Sequence, residues 1–214
     1  MPARAKATAK SDTVATAPAQ SPRERLLAVA DDLFYSEGVH VVGIDRILKD
    51  ASAAKASLYH HFGGKDGLVR AYLEEHFELR REQVGQVLSA YRTPRDRLLG
   101  LFAAIEIALR DPAFRGCRFV NASAEARPGE SVEVVTEAYR SWLRKLFTDL
   151  AREAGAADPR QLGRQLALLY DGAAVAARLD KDRLGAADAA LSAATALLDT
   201  ATRRKRGRPA GSPR

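Results

Sequence analysis

In the stretch Lys55-Ala56-Ser57-Leu58-Tyr59-His60-His61-Phe62, Leu58 and Phe62 stand four residues apart on one helical face. The opposite face carries Lys55, Ser57, Tyr59 and His60. These are cationic or hydrogen-bonding side chains of short to medium reach. Such a set suits an acceptor-rich partner, with base edges and phosphate oxygens as the obvious case. It does not suit covalent chemistry. The chain has no phosphate-binding Gly loop, nucleophile motif, metal-ligand cluster or paired-carboxylate arrangement, so neither an enzyme nor a cofactor is expected. His60 and His61 are adjacent, which on a helix turns their side chains about 100° apart. The other two histidines have no ligand spacing to them, and no metal site is expected.

The elements that must position this face can be read from periodicity. Ile44, Ile47, Leu48 and Ala51 fall at i, i+3, i+4 and i+7, the stripe of a short helix. Ser52-Ala53-Ala54 interrupts the pattern before the second helix. A short helix packed beneath one that displays donors is a helix-turn-helix. On pattern alone, a plain helical hairpin with a solvated face is an equal alternative. Upstream, Ser21-Pro22-Arg23-Glu24 is a capping box with Pro at the first helical position. The helix it starts presents Leu26, Ala30, Leu33 and Phe34, ends at Gly38, and is wide enough on its apolar face to roof the two short helices. Residues 22–62 thus form a three-helix unit.

Further helices follow. Lys65 to about Leu88 presents Leu68, Tyr72, Leu79, Val84 and Leu88 as apolar contacts. Thr93-Pro94-Arg95-Asp96 and Asp158-Pro159-Arg160-Gln161 repeat the start signal, for helices over 94–110 and 159–179. Cys117 to Glu125, Val132 to Ala154 and 186–202 complete the set. No stretch shows convincing period-2 alternation, so the expected fold is all-α.

Composition sets bounds on the whole. With 214 residues and 46% hydrophobic content the chain can bury a proper core. No apolar run approaches the roughly 18 residues of a membrane span, and the N-terminal arm lacks the apolar segment of a signal peptide. The single Cys117 forms no internal disulfide, fits a cytoplasmic protein, and reads as a small buried hydrophobe. The net charge of +7 is not spread evenly: residues 203–214 hold six Lys/Arg and no acid. Residues 1–20, polar and alanine-rich, carry a further +2, so the body between 21 and 202 is close to neutral at −1. The N-terminal arm is expected to be disordered.

Residues 22–65 resemble the DNA-binding domain of TetR-family bacterial transcriptional regulators. The resemblance rests on Leu33-Phe34, Glu37-Gly38, Ile47, Ala51, Lys55, Leu58-Tyr59, His61-Phe62 and Lys65 in one register. Residues 116–125 also resemble a segment in the ligand-binding domain of some members. The family usually has Gly where this chain has Ser52, which asks Ser52 for a left-handed conformation. Thr is common where Gly43 stands. The resemblance implies an N-terminal helix-turn-helix domain over 21–65 and a larger helical effector-binding and dimerisation domain over 66–202. It implies a homodimer that reads a palindromic double-stranded DNA operator, most often as a repressor, and is released by a small-molecule effector. A nucleoid-associated protein relying on its basic tails is the alternative.

On that basis Lys55, Ser57 and His60 are the candidates for base edges or nearby phosphates. Tyr59, His61 and Lys65, with the helix starts at Gly43 and Ala54, are candidates for phosphates. The effector pocket is expected among Phe102, Glu106, Phe119, Asn121, Tyr139, Trp142 and Tyr170. Small residues let helices approach closely, so the dimer seam is expected on Leu162, Leu166, Leu169, Gly172, Ala173, Ala176, Leu191 and Leu198. In the tail, Arg206-Gly207-Arg208-Pro209 resembles the core of an AT-hook, in which an extended Arg-Gly-Arg lies in a narrow minor groove. Deleting 203–214 is expected to lower operator affinity and to flatten its salt dependence. The slope of log K against log salt should fall by about 0.9 for each phosphate no longer neutralised, read by fluorescence anisotropy across a salt series.

Overall fold

A computed structural model describes residues 20–202. The acid-free basic tail, with its Arg206-Gly207-Arg208-Pro209, and most of the N-terminal arm lie outside them. Helix α1 (Pro22–Glu37) opens on the expected box. The Ser21 hydroxyl accepts from the Glu24 amide at 3.3 Å, and the Ser21 amide donates to the Glu24 carboxylate at 2.7 Å. Such a cap stabilises a helix by about 1 kcal/mol. Leu26, Ala30, Leu33 and Phe34 are buried beneath α1, against Ile47 of α2 (Ile44–Asp50) and Leu58 of α3 (Lys55–Phe62).

The turn between α2 and α3 is held from outside. Ser52 adopts φ 49°, the one positive φ at a non-glycine residue among those described. Backbone bonds from Ser52 to the Lys49 carbonyl (3.2 Å) and from Ala53 to the Leu48 carbonyl (3.0 Å) close it. The Arg25 guanidinium of α1 then donates to the carbonyls of Ala51 (3.1 Å), Ser52 (3.4 Å) and Gln20 (2.7 Å). One side chain therefore fixes both the turn and the entry into α1.

The remaining elements are α4 (Lys65–Ser89), α5 (Pro94–Leu109), α6 (Arg118–Glu125), α7 (Ser131–Glu153), α8 (Pro159–Leu179) and α9 (Arg183–Thr202). Every described element is a helix, and the fold is all-α. Thr93 caps α5 by accepting from the Asp96 amide at 3.1 Å, and Asp158 caps α8 through the Gln161 amide at 3.0 Å. Helix α9 starts earlier than the periodicity suggests, because Asp182 accepts from the Gly185 amide at 2.9 Å and lets three more residues join. Helix α4 meets α3 very closely. A Cβ on Gly67 would lie 1.8 Å from the Phe62 carbonyl oxygen, so only glycine lets the two helices approach this way.

Helix α7 packs against α4, α5 and α8, and α9 against α5 and α8. Two expectations change here. Leu79 is not a core contact of α4 but 44% exposed. Leu162, Leu166, Ala173 and Leu198, expected at a subunit seam, are buried inside the subunit, because the inward stripe of α8 and α9 fills the core with α5 and α7. Leu169 and Leu191 also pack against that core, while Gly172 is open and Ala176 half-buried. The apolar side chains that α8 leaves exposed are Leu168, Val175 and Leu179.

An L-residue at Ser52 carries a left-handed cost of about 1 kcal/mol. Ser52→Gly is expected to raise stability by about 0.5 kcal/mol, after glycine's own entropy loss. Ser52→Val should lower it by about 1 kcal/mol or more, β-branching being least compatible with positive φ. Urea unfolding of both variants reads the difference.

Candidate nucleic-acid interface and ligand cavity

On α3 the structure separates the two faces as the spacing requires. Leu58 is buried and Phe62 half-buried, with the Arg23 guanidinium 5.6 Å from the Phe62 ring centre. Lys55, Tyr59, His60 and His61 are exposed, and Ser57 is half-buried on the same side. Ala54 and Gly43 precede α3 and α2 without any side-chain cap, so no cap side chain occupies the first amides of either helix. Lys65 departs from the expected picture. It is half-buried, and its ammonium donates to the His40 carbonyl at 3.3 Å. Burial depresses its pKa, against the opposing pull of Glu125 and Glu130. Lys65 therefore braces the α1–α2 turn with one of its three N–H donors. Of the two cations of α2, Arg46 is held by Asp50 at 2.6 Å and Glu37 at 3.7 Å, and Lys49 is exposed.

This three-helix head is joined to the rest by polar contacts. The His40 amide donates to the Glu125 carboxylate at 2.8 Å, and the His40 ring meets the Glu125 carbonyl. The Ser131 amide and hydroxyl donate to the Asp66 carboxylate at 3.0 and 2.6 Å. On α1, the Tyr35 hydroxyl accepts from the Arg115 amide at 2.7 Å and donates to the Gly116 carbonyl at 3.0 Å. The Arg118 guanidinium lies 3.7 Å from the Tyr35 ring centre. Asp31 joins His76 of α4 at 2.8 Å and Arg118 of α6 at 3.3 Å. Burial would raise the Asp31 pKa, but the His76 and Arg118 contacts outweigh it and leave the carboxyl below its ordinary value.

Behind these contacts is a cavity of about 600 Å³, walled by α1, α4, α5, the loop before α6, α6, α7 and α8. Of the expected pocket residues, Phe119, Tyr139 and Tyr170 line it. The Phe119 and Tyr139 rings are stacked with centres 4.0 Å apart. Phe102 is instead core, fully buried against Phe147 and Tyr170 at ring distances of 5.7 and 5.8 Å. Trp142 packs on Phe77 at 5.6 Å. Glu106 pairs with Arg110 on the surface, and Asn121 braces the loop by donating to the Arg115 carbonyl at 3.0 Å. Cys117 also lines the cavity, and burial pushes its thiol pKa up. Sequence reasoning passed over Arg80, Gln83, His76, Arg118 and Asp171, which line it too. Their polar periodicity on α4, α6 and α8 looks like a solvated face.

A family model described as bacterial regulatory proteins, tetR family, matches residues 26–72. The crystal structure of a TetR-family transcriptional regulator from Streptomyces coelicolor superposes with a TM-score of 0.80 at 36% identity, covering 85% of this chain and 96% of that one. The chain belongs to the TetR family of transcriptional regulators. Among curated relatives it is 25% identical to the HTH-type transcriptional regulator LmrA of Bacillus subtilis over 142 residues, 64% of this chain and 75% of LmrA. It is 31% identical to the HTH-type transcriptional repressor NemR of Escherichia coli over 105 residues, 48% of this chain and 53% of NemR. The chain thus spans about half the length of NemR.

In this TetR-family regulator the head is therefore a DNA-binding helix-turn-helix, with α3 as its second helix. No helix among the described residues is long and apolar enough to cross a membrane. The Asp31 bridge makes the stability of the regulator pH-dependent. Because the native carboxyl titrates below its unfolded value of about 3.9, the stabilisation is complete above that pH and is lost as pH falls through the native value. Asp31→Asn is expected to cost about 1 kcal/mol at neutral pH, the carboxylate being partly screened by solvent, and to flatten the acid limb of stability below the unfolded carboxyl's pKa of about 3.9. Urea midpoints at stepped pH read both.

Proposed function

We propose that this regulator binds a palindromic operator as a homodimer, most often to repress, and that a small molecule entering the 600 Å³ cavity releases it. The observation that carries the reading is that the cavity wall and the reading head share side chains. Asp32 and Tyr35 of α1 line the cavity, and Tyr35 is bonded to the loop that forms its rim. A ligand that displaces Arg118 or residues 113–117 would pull on α1, and hence on the turn that Arg25 holds.

Support for a dimer comes from the strip that α8 leaves open, Leu168, Gly172, Val175 and Leu179, which lie at i, i+4, i+7 and i+11. Three large apolar side chains in one row on a solvent face are what a second copy would cover. Two-fold pairing of reading heads also sets half-site centres about 34–36 Å apart or multiples of that.

Selection of bound sites from random DNA, followed by footprinting, tests the proposal. A palindromic protected site is expected, whereas sequence-indifferent coating would favour an architectural role for the basic tails. Within a selected site, Ser57→Ala or His60→Ala should change which bases are preferred, by about 1–3 kcal/mol at the affected position. Tyr59→Phe and Lys55→Ala discriminate further: loss at a phosphate scales all sites alike, and loss at a base edge does not.

A further inference from the structure

The cavity holds donors and almost no unengaged interior acceptor. Arg80 of α4 is half-buried in its wall and makes no hydrogen bond or ion pair with any described residue. Tyr35, Cys117, Tyr139 and Tyr170 line the same cavity, and none of them is a carboxylate. The hydroxyls of Tyr139 and Tyr170 likewise make no hydrogen bond among the described residues, and burial pushes both phenols up in pKa, so they remain O–H donors.

Apart from Gln83, which is exposed, the acceptors nearby are otherwise engaged. Asp171 is paired with Arg140 through one carboxylate oxygen. The Gly116 carbonyl accepts from Tyr35, and the Arg115 carbonyl from Asn121 and Arg178. Asp32 and Asp111 are exposed and stand at the solvent edge. The second cation of the wall, Arg118, is already matched by Asp31. Inside, one guanidinium and two phenols are left over, and an arginine presents its donors as a planar fork matched to a carboxylate.

We infer that the effector is an aromatic monocarboxylate, its carboxylate held by Arg80 with the phenols of Tyr139 and Tyr170, and its rings against Phe119 and the aliphatic wall. The aliphatic wall is Ile105, Leu109 and Ala174, and the volume is that of a small-molecule site. The assignment rests on the cavity being the effector site proposed above, and deepens it.

Isothermal titration calorimetry on the full chain with three probes of one shape tests it: 2-naphthoate, 2-naphthamide and (2-naphthylmethyl)trimethylammonium. Naphthoate is expected to bind at least tenfold more tightly than either of the others. Arg80→Gln should cost naphthoate tenfold or more while leaving the amide within twofold, and Arg80→Lys should fall between. Tyr170→Phe should lower the acid-over-amide ratio in a chain with its charge intact, so the inference is testable even if Arg80→Gln folds poorly. Equal binding of acid and amide, tighter binding of the cation, no measurable binding of naphthoate, or an unchanged ratio in the folded variants overturns it. Operator affinity measured with and without naphthoate separates the two readings. Arg80-dependent binding without any change in operator affinity upholds the anion site and overturns effector release.

Discussion

The Asp31 carboxylate accepts from His76 on α4 and from Arg118 on α6, and so ties α1 to two walls of the cavity through one charged group. Four residues along α1, on the same face, Tyr35 does the same for the loop before α6 with one hydroxyl that both accepts and donates. Because α1 also carries Arg25, which grips the helix-turn-helix from its other end, the reading head has little freedom independent of the cavity wall. Hydrogen bonds and ion pairs have directional, short-range geometry, so this seam tolerates discrete rearrangement better than gradual strain. These contacts run beside the apolar packing of Phe34 on Tyr72, which is non-directional by comparison.

Helix α4 gives the same coupling a second route. Its first turn passes the Phe62 carbonyl at a distance that only Gly67 permits, and its middle turns put His76, Leu79, Arg80 and Gln83 in the cavity wall. An α-helix rises about 1.5 Å per residue, so Gly67 and Arg80 are roughly 20 Å apart on one continuous rod. The rod cannot shorten without breaking its own hydrogen bonds. A displacement at Arg80 therefore reaches the α3 contact as a tilt or a shift, and Lys65 and Asp66, bonded to His40 and Ser131, set which of these the N-terminal end can follow.

Much of the head was legible in the sequence because its signals are local. Ser21 and Glu24 announce α1, Thr93 and Asp158 announce α5 and α8, and Ser52 stands where the turn demands a left-handed residue. The cavity was legible only for Phe119, Tyr139 and Tyr170. Arg80 was missed because its meaning lies in what fails to pair with it, which is a tertiary fact; beside Arg81 it looks like ordinary surface charge. Helix α8 is apolar on two faces: periodicity points to the stripe with more leucine, and the core claims Leu162, Leu166 and Ala173 of that stripe, while Leu168, Val175 and Leu179 of the other face stand exposed. Lys65 was read as free because nothing in the chain order brings His40 and Glu125 beside it.

The use of cations across the head then constrains how it can hold DNA. Arg25 is engaged with three carbonyls, Arg46 with two carboxylates, and Lys65 with His40, while Arg23 lies over Phe62. On the open side of α3, Lys55 is the cation, joined by the hydrogen-bonding side chains of Tyr59, His60 and His61. Counterion release scales with the number of phosphates neutralised by cations. With Lys49 and Lys55 as its exposed lysines, the head gains less from it than from oriented hydrogen bonds and the uncapped starts of α2 and α3. Such contacts depend on the angle at which α3 meets the groove, far more than a diffuse positive field would. The head, with five Lys/Arg against six Asp/Glu over residues 21–62, relies on geometry, and the contacts at Asp31 and Tyr35 hold the α1 angle on which that geometry depends.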